Sequence, residues 1–218
     1  MSHTPGIRQA RKEKTRQALL DAALLLLEEQ SLSSLGLREV TRAVGVAPTA
    51  FYRHFRDPAD LGVALVEQAL DSLHETIGTI LAATDGDEQR IDRTVGAMAG
   101  YVRAHPAHVR FIARERHGGV RSVREAIAAQ LRRFSEEVAA VLAAEPVSAG
   151  WSREDLRMLA DVYVDQMVMT ASAFLHAAEE HPGTGPDAEV RAGAEARVAS
   201  AARRRLRLIA LGRRHWLD

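Results

Sequence analysis

Four polar side chains within six residues could together contact a nucleic acid. They lie in the stretch LREVTRAVGVAPTAFYRHF, residues 37–55, and are Thr49, Tyr52, Arg53 and His54. An arginine can donate two hydrogen bonds to guanine, and a threonine can contact the methyl group of thymine. Tyrosine, histidine and the amides of a helix N-terminus suit phosphate oxygens. This grouping is typical of a surface that meets the major groove of DNA.

Two short helices must position these side chains. Gly45 separates them, because a helix ends readily at a residue that accepts a positive φ. Pro48 then begins the next helix, where its missing N–H costs nothing. Apolar residues on both helices predict that they pack together as a helix-turn-helix: Val40, Val44, Val46, Ala50, Phe51 and Phe55. On this stretch alone, an ordinary solvated helix after a glycine turn is the alternative.

The charge distribution supports a nucleic-acid partner, although the formal net charge of the chain is zero. Residues 1–57 hold nine basic and six acidic residues, and the rest of the chain holds 20 basic and 23 acidic residues. Both lysines, Lys12 and Lys14, lie in the first fourteen residues. A basic N-terminal part on a slightly acidic body is typical of a DNA-binding head.

The spacing of apolar residues predicts about nine helices and no strand, so we expect an all-α fold. The first helix is predicted to begin at Lys14 or Thr15 and to end near Gln30. Ser152 and Asp155 are spaced as a helix cap. The other helices are predicted at residues 37–44, 48–55, 58–83, 88–104, 106–117, 122–144, 152–180 and 187–216, with polar loops at 84–88 and 181–186.

Several classes of protein are disfavoured by the composition. The chain has no cysteine, which excludes disulfides and thiolate catalysis and fits a cytoplasmic protein. Its N-terminus lacks the apolar run of a signal peptide, and no apolar stretch approaches the roughly 20 residues of a membrane span. An all-helical enzyme is the rival class. No nucleophile or phosphate-binding motif supports it, and His105 and His108 lack a third metal ligand. We therefore predict no enzyme activity, no metal and no cofactor.

The stretch from Lys14 to Leu70 resembles the DNA-binding domain of the tetracycline-repressor (TetR) family. The resemblance is carried by LREVTRAVGVAPTAFYRHF, with its FYRHF block, and by RDPADLGVALVEQAL. Two further segments, EKTRQALLDAA and RFIARERHGGVRSVREAI, resemble the bacterial repressors of fatty-acid synthesis and desaturation. The family resemblance implies a DNA-binding helix-turn-helix domain at residues 1–57. It also implies a domain for effector binding and dimerisation at residues 58–218.

The family pattern also implies roles for single residues. Thr49, Ala50 and Arg53 would face bases, and Tyr52 and His54 would hold phosphates. Four further basic residues would contact bases or the DNA backbone: Lys12, Lys14, Arg38 and Arg56. One position departs from the family, because Gly36 stands where many members have a hydroxyl group for a phosphate. Ser34 is the candidate to replace that hydroxyl group.

The remaining helices carry more apolar surface than a connection to DNA needs. Three methionines lie near Tyr163 and Phe174, and methionine suits a pocket for a flexible ligand, although core packing is the alternative. The resemblance to the fatty-acid repressors implies a long-chain acyl-CoA as effector. Its phosphates would meet Arg114 and Arg121, unless these arginines are solvated or paired with Glu115 and Glu125. The acyl tunnel would be lined by Phe111, Phe134, Tyr163, Met167 and Phe174. A drug or another small apolar molecule is the alternative effector.

The family resemblance also implies a homodimer formed by the last two helices. Leu206, Ile209, Ala210 and Trp216 form the predicted apolar stripe of the final helix. A two-fold dimer places two recognition helices about one DNA turn or more apart. The partner is then double-stranded DNA with a near-palindromic operator, and no membrane is expected.

Overall fold

The computed structural model describes residues 4–82, 86–181 and 186–216, and these ranges contain nine α-helices and no strand. The all-α prediction is confirmed. The helices are α1 (Thr4–Leu26), α2 (Leu37–Val44), α3 (Pro48–Phe51), α4 (Pro58–Ala82), α5 (Asp87–Ala104), α6 (Pro106–Glu115), α7 (Arg121–Ala144), α8 (Arg153–Glu180) and α9 (Pro186–Arg214). Most bounds agree with the prediction within one or two residues. In the two predicted polar loops, residues 84–85 and 182–185 lie outside the described residues.

The predicted start of the first helix is wrong by about ten residues. The helix begins at Thr4, and Pro5 lies in its first turn, where a proline is tolerated. Thr15 does not cap a helix, because its hydroxyl group donates within the helix to the carbonyl oxygen of Arg11 at 3.0 Å. Residues 8–14 are good helix formers without a breaker. The basic segment from Arg8 to Lys14 is therefore helical.

The described residues form two compact units. The first unit contains the chain up to Ala69 and, separately, Arg110–Ala128; the second contains the rest. The functional division at residue 57 stays a prediction. No described helix is both long enough and apolar enough to cross a bilayer.

A dense apolar core holds the helix-turn-helix of the first unit. Phe51 is fully buried and Phe55 almost so, and their ring centroids lie 5.5 Å apart. Leucines of α1 and α4 and Val40 of α2 are buried with them. The second segment of the unit contributes Phe111, Val123 and Ile127, which are also fully or almost fully buried. Phe51 and Phe55 therefore anchor the helix-turn-helix in the buried core of the first unit.

Gly45 makes the turn between α2 and α3. Its φ of 74° and ψ of 29° lie in the left-handed region, and its N–H donates to the carbonyl oxygen of Arg42 at 3.1 Å. We expect Gly45→Ala to lower the free energy of unfolding by about 1–2 kcal/mol, because a Cβ disfavours this backbone. Urea unfolding measures the change. The control is Gly78→Ala, inside α4 with open space around it, which should stabilise by about 0.5–1 kcal/mol. Equal effects of the two changes would refute the argument.

The core of the second unit joins α5, α6, α8 and α9. It contains Val95, Val102, Phe174 and Leu175, together with Leu206 of α9. Leu206 and Ala210 are buried within the protomer, and Ile209 packs against the same core. The predicted apolar stripe of the last helix therefore belongs largely to the protomer's own core. It does not form an exposed face.

Ion pairs join α5 to α9 outside this core. Arg203 bonds Asp92 at 2.6 Å, Arg214 bonds Asp87 at 2.7 Å, and Arg207 binds both carboxylate oxygens of Glu88. The bonds to Arg207 lower the pKa of Glu88.

At the start of α8, the predicted cap is confirmed, because the N–H of Asp155 donates to the hydroxyl oxygen of Ser152 at 3.0 Å.

Candidate nucleic-acid interface and ligand cavity

The structure brings the four polar side chains of the opening stretch together on one turn. The helix α3 is short, and turn hydrogen bonds continue it: the N–H of Arg53 donates to Ala50 at 3.3 Å and that of His54 to Phe51 at 2.9 Å. Thr49, Tyr52 and Arg53 are exposed, with Tyr52 at 63%, whereas His54 is half-buried. Phe51 points inward between them. The turn is therefore anchored by a buried aromatic side chain and presents polar side chains to solvent. Its DNA contacts stay a prediction.

The four predicted DNA-binding residues outside this turn are basic and exposed. Lys12 and Lys14 lie on α1, and Arg38 lies on α2. Arg56 is exposed but paired, because its Nη2 bonds Asp60 at 2.8 Å and its backbone N–H donates to the same carboxylate. These bonds to Arg56 lower the pKa of Asp60. A phosphate that binds Arg56 would therefore have to compete with Asp60.

Gly36 precedes α2 without a side-chain cap. Its φ of −89° and ψ of 133° are those of an extended N-cap residue, and its N–H lies 3.5 Å from Oε2 of Glu39. The hydroxyl group of Ser34 donates to the carbonyl oxygen of Ser31 at 2.8 Å. The hydroxyl group that could replace the missing one is thus already engaged.

His54 has an unusual electrostatic environment. Burial lowers the pKa of its imidazole, and the nearby cations Lys12, Arg16 and Arg53 lower it further. Its Nδ1 is buried without a hydrogen-bond partner in the protein. Arg16 lies over the ring of Phe55, 5.4 Å from its centroid. The unbound protein therefore favours a neutral His54.

We expect operator affinity to rise as the pH falls from about 7.5 to about 6, close to the ordinary pKa of histidine. A phosphate held by His54 favours its cation, so DNA binding takes up a proton. Folding responds in the opposite direction. The lowered pKa favours folding above the ordinary histidine pKa, and this contribution is lost as the pH falls. Fluorescence anisotropy with operator DNA across this range measures the effect, with circular dichroism confirming that the protein stays folded. His54→Gln should flatten the profile, and an unchanged slope in that variant would contradict the role.

The second unit contains a cavity of about 80 Å³. Tyr163 and Met167, both predicted ligand-binding residues, line it. Phe134 instead stacks on His74, with ring centroids 3.5 Å apart, and Phe174 lies in the buried core. Further lining residues come from α4, α5, α7 and α9: Ile77, Leu81, Asp87, Arg90, Ile91, Thr94, Val138, Val141, Leu142, Leu206, Ala210 and Arg213.

The other predicted ligand-binding residues lie in the first unit. Phe111 is buried in its core. Arg121 is 83% exposed and bonds Glu125 at 2.7 Å, which is the pairing that the sequence left open. Arg114 donates to three carbonyl oxygens just after α1: Leu27 at 2.7 Å, Gln30 at 2.7 Å and Glu28 at 3.2 Å. The seven predicted residues are therefore divided between the two units, and the contacts of Arg114 favour a structural role.

A polar cluster at the cavity was missed by the sequence analysis. The side chain of Arg213 is only 3% exposed, and it bonds Glu145 at 2.6 Å and the hydroxyl oxygen of Ser148 at 3.1 Å. Arg90 also bonds Glu145. Burial raises the pKa of Glu145, but the bonds to Arg90 and Arg213 outweigh it, and the net shift is downward. The available signal was that Arg213 follows Leu206 and Ala210 on one helix face.

The candidate metal ligands do not form a site in the described parts of the chain. The rings of His105 and His108 meet edge to face, 5.7 Å apart, and Tyr101 lies 4.9 Å from His105. No group of three histidine, aspartate or glutamate residues in the described ranges could hold a metal ion.

Comparison with known proteins agrees with this geometry. Residues 19–65 match the family model described as "Bacterial regulatory proteins, tetR family". The match covers α2 and α3 together with the C-terminal part of α1 and the N-terminal part of α4. The resemblance of this stretch to the TetR family is confirmed, and the family is one of regulatory proteins, not enzymes.

Three solved structures share the fold. The regulator FadR from Bacillus subtilis in complex with stearoyl-CoA has 12% identity and a TM-score of 0.63, over 84% of this chain and 97% of that chain. NalD, the secondary repressor of a multidrug efflux pump in Pseudomonas aeruginosa, has 20% identity and a TM-score of 0.61, over 89% of this chain and 96% of that chain. AibR in complex with isovaleryl coenzyme A and operator DNA has 14% identity and a TM-score of 0.58, over 83% of this chain and 95% of that chain. At these identities the likeness shows the fold alone.

Proposed function

We propose that the chain, a DNA-binding transcriptional regulator of the TetR family, is a cytoplasmic repressor of fatty-acid or lipid metabolism genes. It binds a near-palindromic operator as a homodimer and responds to a long-chain acyl-CoA. The observation that carries the DNA-binding part is the turn from Thr49 to His54. Its polar side chains are exposed, while Phe51 and Phe55 anchor the backbone beneath them. Such a rigid polar turn can read base edges in a major groove.

The proposed dimer uses exposed apolar residues of the last two helices. On α8 these are Met158, Val162 and Met169, spaced so that they share a face, and on α9 they include Leu208 and Leu211. Leu208 is 70% exposed and Met169 is 61% exposed. Exposed apolar side chains that together form a patch mark an interaction surface. A two-fold contact would bury them and pair two recognition turns with two half-sites.

The acyl-CoA effector is supported by the coenzyme A ligands named for FadR and AibR. The cavity of about 80 Å³ would have to widen to admit an acyl chain. NalD supports the alternative, a repressor that responds to a drug and controls efflux. The ligand acts only through its different affinity for the states that bind and release DNA. The two effectors are therefore distinguished by which molecule changes operator affinity.

A gel shift tests the proposal. Purified protein is mixed with DNA flanking its own gene at several salt concentrations, with and without palmitoyl-CoA or an aromatic cation such as ethidium. A specific shift that palmitoyl-CoA changes supports the lipid effector, whereas a response to ethidium alone supports the drug alternative. No specific shift on any operator candidate would overturn the regulator. Leu208→Glu should weaken DNA binding by disrupting the dimer. Analytical ultracentrifugation measures the oligomeric state directly.

A further inference from the structure

The N-terminal part of α1 extends beyond the buried core of the first unit. The helix begins at Thr4, every residue from Arg8 to Lys14 is exposed, and the first buried side chain after them is Leu19. An α-helix rises 1.5 Å per residue, so Arg8 lies about 16 Å from Leu19 along the helix axis. The first turns of α1 are therefore a helical extension that the core does not cover.

The core-facing side of α1 changes from apolar to basic where the helix leaves the core. Leu19 and Ala23 are fully buried on that side. The positions that precede them at steps of three or four residues are Arg16, Lys12 and Arg8. We call these three residues the basic stripe. The stripe continues the line of the buried side chains, but it carries cations that solvent can reach.

The basic stripe begins beside the turn that carries His54. The guanidinium group of Arg16 lies over the ring of Phe55, 5.4 Å from its centroid. Burial lowers the pKa of His54, and the charges of Lys12 and Arg16 lower it further, so both cations lie close to the imidazole. Arg8 follows one helical turn beyond Lys12, about 6 Å along the axis. The stripe therefore extends the polar surface of the turn towards the N-terminus.

The charge of this extension is not balanced within it. Residues 4–16 hold five basic residues and one acidic residue, Glu13, which lies 3.8 Å from Arg16. Arg8 and Lys12 are four residues apart, and so are Lys12 and Arg16, and like charges at this spacing destabilise a helix. A polyanion would relieve the repulsion. Duplex DNA carries one negative charge per about 1.7 Å of its axis, so several phosphates can meet the stripe.

We propose that the basic stripe is a rigid clamp for the DNA backbone, in which Arg8 and Lys12 bind two phosphates next to the one predicted for His54. The inference rests on the proposed DNA binding and adds Arg8 to the binding surface. It also assigns no contact to Lys14, which lies on the opposite side of the helix. Phosphate contacts carry no direct sequence information. The clamp should therefore strengthen binding to any duplex and leave the discrimination of the operator unchanged.

The salt dependence of binding counts the phosphate contacts. Fluorescence anisotropy of the full-length protein with a random-sequence duplex is measured from about 50 to 200 mM salt. Arg8→Gln and Lys12→Gln should each reduce the slope of log affinity against log salt by about 0.9 per protomer bound. Lys14→Gln removes the same charge from the opposite side and should keep the slope. Equal losses in all three variants overturn the assignment to the stripe, and unchanged slopes in the first two overturn the clamp.

A variant that keeps every charge tests whether the clamp is rigid. In Ala10→Pro, the proline ring interrupts α1 and releases the turn that carries Arg8. This variant should lose as much of the slope as Arg8→Gln, whereas a flexible basic arm predicts no loss and would overturn the clamp. Urea unfolding should be nearly unchanged, because this part of α1 is exposed. Wild-type protein that binds no duplex would overturn the regulator together with the clamp, whereas wild-type binding with unchanged slopes overturns the clamp alone.

Discussion

Replacing Arg53 with alanine is expected to weaken the discrimination of the operator from other DNA strongly while leaving the protein folded. Arg53 is exposed on the turn that follows α3, and its backbone N–H bonds Ala50 independently of the side chain. A bidentate arginine–guanine contact contributes about 1–3 kcal/mol of discrimination, which corresponds to roughly five- to 150-fold in affinity. Fluorescence anisotropy with operator and scrambled duplexes at fixed salt measures the ratio of the two affinities.

The control for this change is Arg132→Ala, which removes the same charge from an exposed position of α7 in the second unit. It should leave the ratio of specific to non-specific affinity unchanged. If Arg53→Ala weakens both duplexes equally, Arg53 binds a phosphate instead of a base. If it changes neither, the proposed reading surface is wrong.

Replacing Glu115 with alanine is expected to lower the free energy of unfolding by about 2–4 kcal/mol. Glu115 is 1% exposed, and its Oε1 accepts a hydrogen bond from the backbone N–H of Leu32 at 3.0 Å. The change leaves that buried N–H without an acceptor and opens a void beside Gly118, where even a Cβ would lie 2.1 Å from Oε2 of Glu115. Urea unfolding followed by circular dichroism measures the loss.

Two further variants separate the causes. Glu115→Gln keeps the shape and an acceptor oxygen, so it should lose much less stability than the alanine variant. Glu125→Ala removes a glutamate whose side chain is 62% exposed and pairs only on the surface with Arg121. A surface pair contributes little, so this change should stay within about 0.5 kcal/mol. A loss as large as that of Glu115→Ala would show that burial is not the reason.

Local sequence signals predicted the helix-turn-helix well. Gly45 marks a position that needs a positive φ, and Pro48 marks the first turn of a helix. The alternation of buried and exposed residues around Phe51 follows from helix geometry. The start of α1 was harder to predict, because Thr15 has the chemistry of a cap but bonds Arg11 inside the helix. A hydroxyl residue in a run of helix formers carries no local sign of which role it takes.

The ligand site was less predictable, because its residues come from distant parts of the chain. Arg114 and Arg121 were predicted to bind ligand because arginines are frequent in that segment of the sequence. In the structure, Arg114 binds carbonyl oxygens near α1, and Arg121 binds Glu125. Arg90 and Arg213 do line a cavity, and both bond Glu145, which lies 55 and 68 residues from them in sequence. Periodicity finds the face of a helix but not its tertiary neighbours.

The inclusion of residues 110–128 in the first unit limits how this regulator can be recombined. A fragment that ends at Ala69 would lack Phe111, Val123 and Ile127, and Gly62 would lose the close neighbour that Val123 provides. Grafting the N-terminal segment alone onto another regulator would leave an apolar hole in the transplanted part. A working chimaera should therefore carry both segments, so the exchangeable module of this protein is discontinuous in its gene.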